Sequence, residues 1–204
     1  ELNRKEEALV SERMVDALVR ARLPQKARVA LTLFSVPEAA FWKGQIDLIE
    51  GKFIEAENGF EAYLAAGGTY AAHARLALGQ VIVAQGRENT GRKEFKALVL
   101  HPDPTIARRA RILSSESEVI SGRSAVVLKR LGTARGDAET EFVKACAWLS
   151  AGNGKQAEVV LRRFLEGQVT LPTRLRDAAV VRLAEAYAMQ PGRGRTAERV
   201  LIQF

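Results

Sequence analysis

Apolar residues recur along this chain at steps of three and four, not two. Phe53, Ala56, Phe60 and Leu64 mark one such run, and no stretch alternates for long enough to read as a convincing strand. The pattern predicts helices broken at regular places. Two stretches, GQIDLIEGKFIEAENGF from Gly44 and GQVIVAQGRENTGRKEF from Gly79, share one skeleton: Gly44 and Gly79, Gly51 and Gly86, and Phe60 and Phe95 each stand 35 residues apart. Self-similarity at such a period is the signature of stacked units. The first glycine of each stretch lets a neighbouring helix approach closely. The second sits where a helix must stop and turn.

Proline gives an independent check, because inside a helix it removes a hydrogen bond and clashes with the preceding turn. Pro24, Pro37, Pro102, Pro104, Pro172 and Pro191 all fall in predicted turns or at the first residue of a helix. The expected helix pairs are 4–34, 38–66, 70–100, 105–132, 137–167 and 173–204, the first and fourth being degenerate. A pair of this kind cannot bury both its faces alone, so the core is expected to run as a ribbon from one pair to the next.

Helix, tight turn, helix every ~34 residues resembles the tetratricopeptide repeat family. The carrying residues are Gly44, Gly51, Phe53, Ala56 and Phe60, then Leu78, Gly79, Gly86 and Phe95, where Gly91 replaces the expected small Ala and Glu88 the expected aromatic. Ala145, Trp148, Gly152, Ala157 and Leu161 form a later match, as do Leu183, Ala184, Tyr187, Ala197 and Leu201, with an insertion around Pro191-Gly192; Leu18, Ala27 and Leu31 fit a degenerate first unit. The resemblance implies an all-α fold, a right-handed α-solenoid of about six helix-turn-helix repeats forming one elongated domain. On the same grounds Trp42, Phe53, Phe60, Phe95, Phe164 and Tyr187 read as inter-helix packing.

The chain has 204 residues, 47% hydrophobic and 27% charged, an ordinary globular composition. No apolar run approaches the ~20 residues of a membrane helix. The chain starts at Glu1 without Met and ends in the apolar pattern AERVLIQF, so a segment of a longer protein is expected. The net charge is +7, yet residues 1–63 hold nine Lys/Arg against eleven Asp/Glu. The excess therefore lies later and is densest at Arg108, Arg109 and Arg111. A basic surface attracts nucleic acid, anionic lipid or an acidic protein and does not choose among them.

Candidate chemistry is sparse. Cys146 is the single cysteine, so no internal disulfide or thiol metal cluster can form. The histidines, His73 and His101, belong to no metal or triad motif. SAGNGKQAEVV, from Ser150, departs from a phosphate loop: the residue five before Gly154 is Leu149, and Gln156 occupies the magnesium-binding hydroxyl position. No catalytic, cofactor-binding or metal-binding residues are assigned, and the segment reads as a non-enzyme.

The family resemblance implies a concave groove lined by the first helix of each pair. Carried over residue by residue, it assigns Glu38, Phe41, Gln45 and Leu48, then His73, Leu76, Gln80 and Val83, then Arg109, Ile112 and Glu116, then Glu139, Phe142, Cys146 and Leu149. The candidate binding set is Phe41, Gln45, Leu48, His73, Leu76, Gln80, Arg109, Glu116 and Phe142. Gln45 and Gln80 stand where carboxylate-clamp members of the family carry Lys, Asn or Arg, which argues against capture of a chain terminus. The expectation is a scaffold that holds a protein or peptide partner along this groove. The alternative is a nucleic-acid-binding helical repeat using the basic surface, against which the groove offers few Lys or Arg. Self-association through Leu201 and Phe204 is a third option. Trp42 placed two residues before Gly44, with Tyr70-Ala71 opening the next unit, resembles arrays of bacterial envelope proteins. That implies a periplasmic rather than cytoplasmic setting, in an envelope or secretion assembly.

Overall fold

A computed structural model describes residues 2–33, 38–132, 136–170 and 172–203. Among these residues it holds twelve α-helices and no strand. They are α1 (Leu2–Arg20), α2 (Pro24–Leu33), α3 (Ala39–Ile49), α4 (Phe53–Ala65), α5 (Ala71–Ala84), α6 (Glu88–Lys96), α7 (Pro104–Ile120), α8 (Ser124–Leu131), α9 (Ala138–Ser150), α10 (Gly154–Leu165), α11 (Thr173–Ala188) and α12 (Gly194–Gln203). No helix is long and apolar enough to cross a membrane. Pro24 and Pro104 open helices, and Pro172 sits immediately before one. Pro37 and Phe204 lie outside the described residues.

The helices fall into two compact units, 1–113 and 114–204, with the division inside α7. In the first, α1 packs on α2, α3 on α4 and α5 on α6, α2 also packs on α3 and α4 on α5, and α1, α3 and α5 touch in succession. First helices thus make one layer and second helices another. The second unit repeats this order: α9 packs on α10, α10 on α11, α11 on α12, and α9 touches α11.

Five of the six turns inside the pairs share one hydrogen-bond pattern. After α3, Gly51 takes φ 75°; its N–H donates to Leu48 O at 3.2 Å and the Lys52 N–H to Asp47 O at 2.8 Å, a Schellman closure of the helix end. The same two bonds recur at Gly86, Gly122 and Gly152. After α1 the position is filled by Arg22, at φ 55°, with matching bonds to Val19 O at 3.0 Å and from Leu23 to Leu18 O at 2.9 Å. A left-handed turn thus forms even where the sequence lacks glycine.

Seven residues before the turns at Gly51, Gly86 and Gly152 sits a small residue, Gly44, Gly79 or Ala145, at the crossing of the paired helices. A Cβ added at Gly44 would lie 2.8 Å from the Phe60 ring, and one at Gly79 would strike the Phe95 ring. In the α9–α10 pair the corresponding residues are Ala145 and Leu161, both fully buried in one cluster. A methyl on one helix is matched by a smaller side chain on the other. Interiors pack at crystal-like density, so only the combined volume is conserved. Phe60 and Phe95 are among the most buried side chains, and each such burial stabilises by about 1.5–3 kcal/mol.

Polar ties link each of three turns to the second helix of the preceding pair. Arg28 of α2 donates to Asp47 at 2.8 Å and to Glu50 at 2.7 Å. Glu57 of α4 accepts from Gln85 at 2.9 Å and pairs with Arg87. Glu158 of α10 accepts from Gln190 at 2.8 Å and pairs with Arg193 at 2.8 Å. Arg87 holds Glu57 below the ordinary glutamate range, and Lys52 with Arg28 does so for Glu50. In the second unit α7, α8 and α9 bury Ser117, Glu118, Ser124, Glu141 and Lys144. There Lys144 pairs with Glu141 at 2.9 Å, and Arg130 pairs with Glu118 at 2.6 Å.

Two measurements check this packing. Gly44→Ala lowers stability by about 1–2 kcal/mol in a urea melt, since overpacking outweighs the helix-propensity gain. In a Phe60→Leu background the same change is neutral or stabilising, so the double-mutant cycle shows coupling. Arg22→Gly raises stability by about 0.5–1 kcal/mol, because it relieves a left-handed non-glycine residue.

Candidate functional site

The layer of first helices in the first unit encloses a cavity of about 500 Å³. Helix α1 contributes Leu9, Glu12, Arg13, Asp16, Val19 and Arg20; α3 contributes Phe41, Trp42 and Gln45. Tyr70, just before α5, and His73, Leu76, Ala77 and Gln80 on α5 form the next wall, with Arg109 of α7 beyond them. The helices present equivalent positions. Counted back from the turn residues, Asp16, Gln45 and Gln80 occupy one register position, and Glu12, Phe41 and Leu76 the position a turn earlier. Residues four apart share a helix face, so repeated register makes one continuous wall.

The floor is aromatic. Phe41 and Trp42 meet edge to face at 5.0 Å, Phe41 and Tyr70 lie 5.1 Å apart, and His73 meets Tyr70 edge on at 6.0 Å. Such contacts fix rings in place beyond simple area burial. Carboxylates hold their polar edges. Glu12 accepts from Trp42 Nε1 at 3.2 Å, tying α1 to α3. Behind this layer the Tyr63 hydroxyl donates to Glu38 and accepts from the Tyr70 N–H at 2.9 Å. Glu38 also accepts from the Thr69 N–H at 3.3 Å. The Tyr63 hydrogen bond holds Glu38 below the ordinary glutamate range. Burial first, then Glu38, pushes Tyr63 up to about 12, and burial with Glu12 does the same for Tyr70. Asp16 pairs with Arg20 at 2.7 Å.

Of the candidate binding set, Phe41, Gln45, His73, Leu76, Gln80 and Arg109 line this one cavity. Leu48 instead packs against the core of the first unit, and Glu38 is taken up by Tyr63 and Thr69. Glu116 and Phe142 belong to the second unit, where Phe142 is buried in the core cluster. On that unit's equivalent face Cys146 lies near Arg182, Glu116 and Glu185; burial above all pushes its thiol up to about 11, so it is uncharged at neutral pH. The Arg108–Arg111 run divides: Arg109 reaches the cavity, whereas Arg111 donates to Val99 O at 3.2 Å. Among the described residues no group of three or more His, Cys, Asp or Glu is placed to hold a metal.

The wall residues on α1 were not identified from the sequence, and neither was Trp42 as a lining residue. A usable signal existed: Glu12, Asp16 and Arg20 follow one another at steps of four, and Asp16 stands six before Arg22 as Gln45 does before Gly51. An arginine in place of the turn glycine hid that register. No protein-family model, curated protein or solved structure matches the chain.

Free tyrosine ionises near 10, so both phenols ionise in the unfolded chain before they do in the native one. Their contribution is intact below about pH 10 and is lost as pH climbs towards 12. Phenolate absorbance and helical circular dichroism are expected to change together across that window, with a shallower loss in Tyr63→Phe.

Proposed function

We propose that this chain is a non-catalytic interaction module, built of tetratricopeptide-like helix pairs stacked as a right-handed solenoid, that holds a segment of a partner protein in the cavity of its first unit. One observation carries this reading: successive first helices bring the same register positions to a single concave surface, over an aromatic floor with a polar rim. Pockets of roughly 300–1,000 Å³ bury a ligand group efficiently, and a peptide laid across such helices meets both apolar anchors and polar groups. The resemblance of Trp42, Gly44 and Tyr70 to bacterial envelope arrays points to a partner within an envelope or secretion assembly.

Selection of random linear peptides displayed on phage against the full chain is expected to enrich binders. Their affinity should fall at least ~tenfold, about 1.4 kcal/mol, on His73→Glu/Gln80→Lys, a variant of partly or fully exposed positions that keeps its helical signal and melting temperature. Failure to enrich, or enriched peptides indifferent to the variant, rejects the cavity as the binding site.

A further inference from the structure

The surplus of Lys and Arg in the later part of the chain plays no part in the function proposed above. Part of it stands on the second helices of the second unit, α8, α10 and α12. Each of these follows a left-handed glycine, Gly122, Gly152 or Gly192, so their positions can be counted from one mark. The third residue after the glycine is Lys155 in α10 and Arg195 in α12; the seventh is Lys129, Val159 and Arg199 in turn. Residues three and four apart share a helix face. Lys155, Val159 and Arg163 therefore run along one face of α10, and Arg195, Arg199 and Ile202 along one face of α12. In α8, Val126 stands beside Lys129.

This face is turned away from the packing. Lys129, Lys155, Arg195 and Arg199 are exposed and make no ion pair with a described residue. Val126, Val159 and Ile202 are exposed beside them, at 51%, 63% and 84%. Acids do not neutralise the row. Glu158 is held by Arg193 and Glu166 by Arg162, and Glu198 takes the register of Glu158, one place before Arg199. Arg195 and Arg199 stand four apart, a like-charge spacing that opposes helix formation, so the fold gains nothing from it. In the first unit the same third and seventh positions hold Gln25, Ile54, Asn89, Val29, Asn58 and Lys93. A single cation among them leaves the basic face to the second unit.

We infer that this face docks on an anionic phospholipid bilayer. Lys129, Lys155, Arg195 and Arg199 meet lipid phosphates, and Val126, Val159 and Ile202 enter the headgroup layer between them. The aliphatic side chain beside each group of cations selects lipid over nucleic acid. A phosphate backbone offers such a side chain nothing, and among the described residues no aromatic ring stands on this face to stack a base. Docking is peripheral: the helices lie along the surface, and none is long and apolar enough to cross it.

The test is co-sedimentation of the full chain with vesicles of phosphatidylcholine, alone or with about one quarter phosphatidylglycerol, at low and high salt. Binding to the anionic vesicles is expected to be at least ~tenfold tighter than to the neutral ones and to weaken as salt rises. Lys155→Glu/Arg195→Glu/Arg199→Glu should abolish it with the helical signal kept. Lys26→Glu/Lys43→Glu/Lys93→Glu, the same change in net charge on exposed positions of the first unit, should retain most of it. Val159→Ser/Ile202→Ser should weaken it several-fold and leave its salt dependence unaltered. No binding to anionic vesicles at low salt, equal binding to neutral ones, or equal loss in the two charge variants overturns the inference. So does full binding in Val159→Ser/Ile202→Ser, or displacement of the vesicles by a single-stranded oligonucleotide or an acidic peptide, since the face would then read charge alone. None of these outcomes bears on the cavity of the first unit.

Discussion

The distance between the two helices of a pair is the constraint on which this architecture depends. Where Phe60 lies across Gly44, and Phe95 across Gly79, no atom separates ring from backbone. That contact fixes how the first helix is rotated about its axis. Rotation in turn decides which residues face the neighbouring second helix and which face away. The glycine–phenylalanine contact recurs in two pairs of the first unit, and Gln45 and Gln80 arrive on one surface with Asp16 at the equivalent position of α1. The cavity is a by-product of core packing, and its chemistry is free to vary at lining positions outside the core clusters, such as Arg13 and His73.

This division of labour explains what could be read from the chain. Gly51 and Gly86 announce turns because a left-handed residue strongly favours glycine, a local rule needing no tertiary knowledge. The register from Gly44 to Gly79 then places Phe41, Gln45, Leu76 and Gln80 by simple counting. Counting fails where the local rule is overridden. Arg22 adopts the left-handed turn because the bonds from Arg22 and Leu23 back to α1 close it, and so the wall formed by Glu12, Arg13 and Asp16 went unseen. Glu38 occupies a groove-facing register in the sequence, yet Tyr63 and Thr69 claim its carboxylate. A side chain's bonding partners across 25 and 31 residues leave no trace in helical periodicity.

Trp42 shows a further limit of pattern reasoning. It was expected to be packing, and it does lie in the core cluster, but its other side forms part of the cavity wall. In a layer one helix thick, a residue close to the core is also close to the surface opposite. Core and site are here successive depths of one structure. The carboxylate of Glu12, bonded to the indole N–H, keeps this amphipathic ring from turning.

The ties between Arg28 and Glu50, Glu57 and Arg87, and Glu158 and Arg193 have an implication for how such a chain can change length. Each links a turn only to the second helix of the pair before it, so the interactions are those of nearest neighbours. The polarity of the ties alternates, so excising the α3–α4 hairpin would set Arg28 against Arg87, and duplicating it would set Glu57 against Asp47 and Glu50. Growth by whole modules therefore requires a charge change at the new junction, while gain or loss of a few residues inside a hairpin would put every later contact out of step.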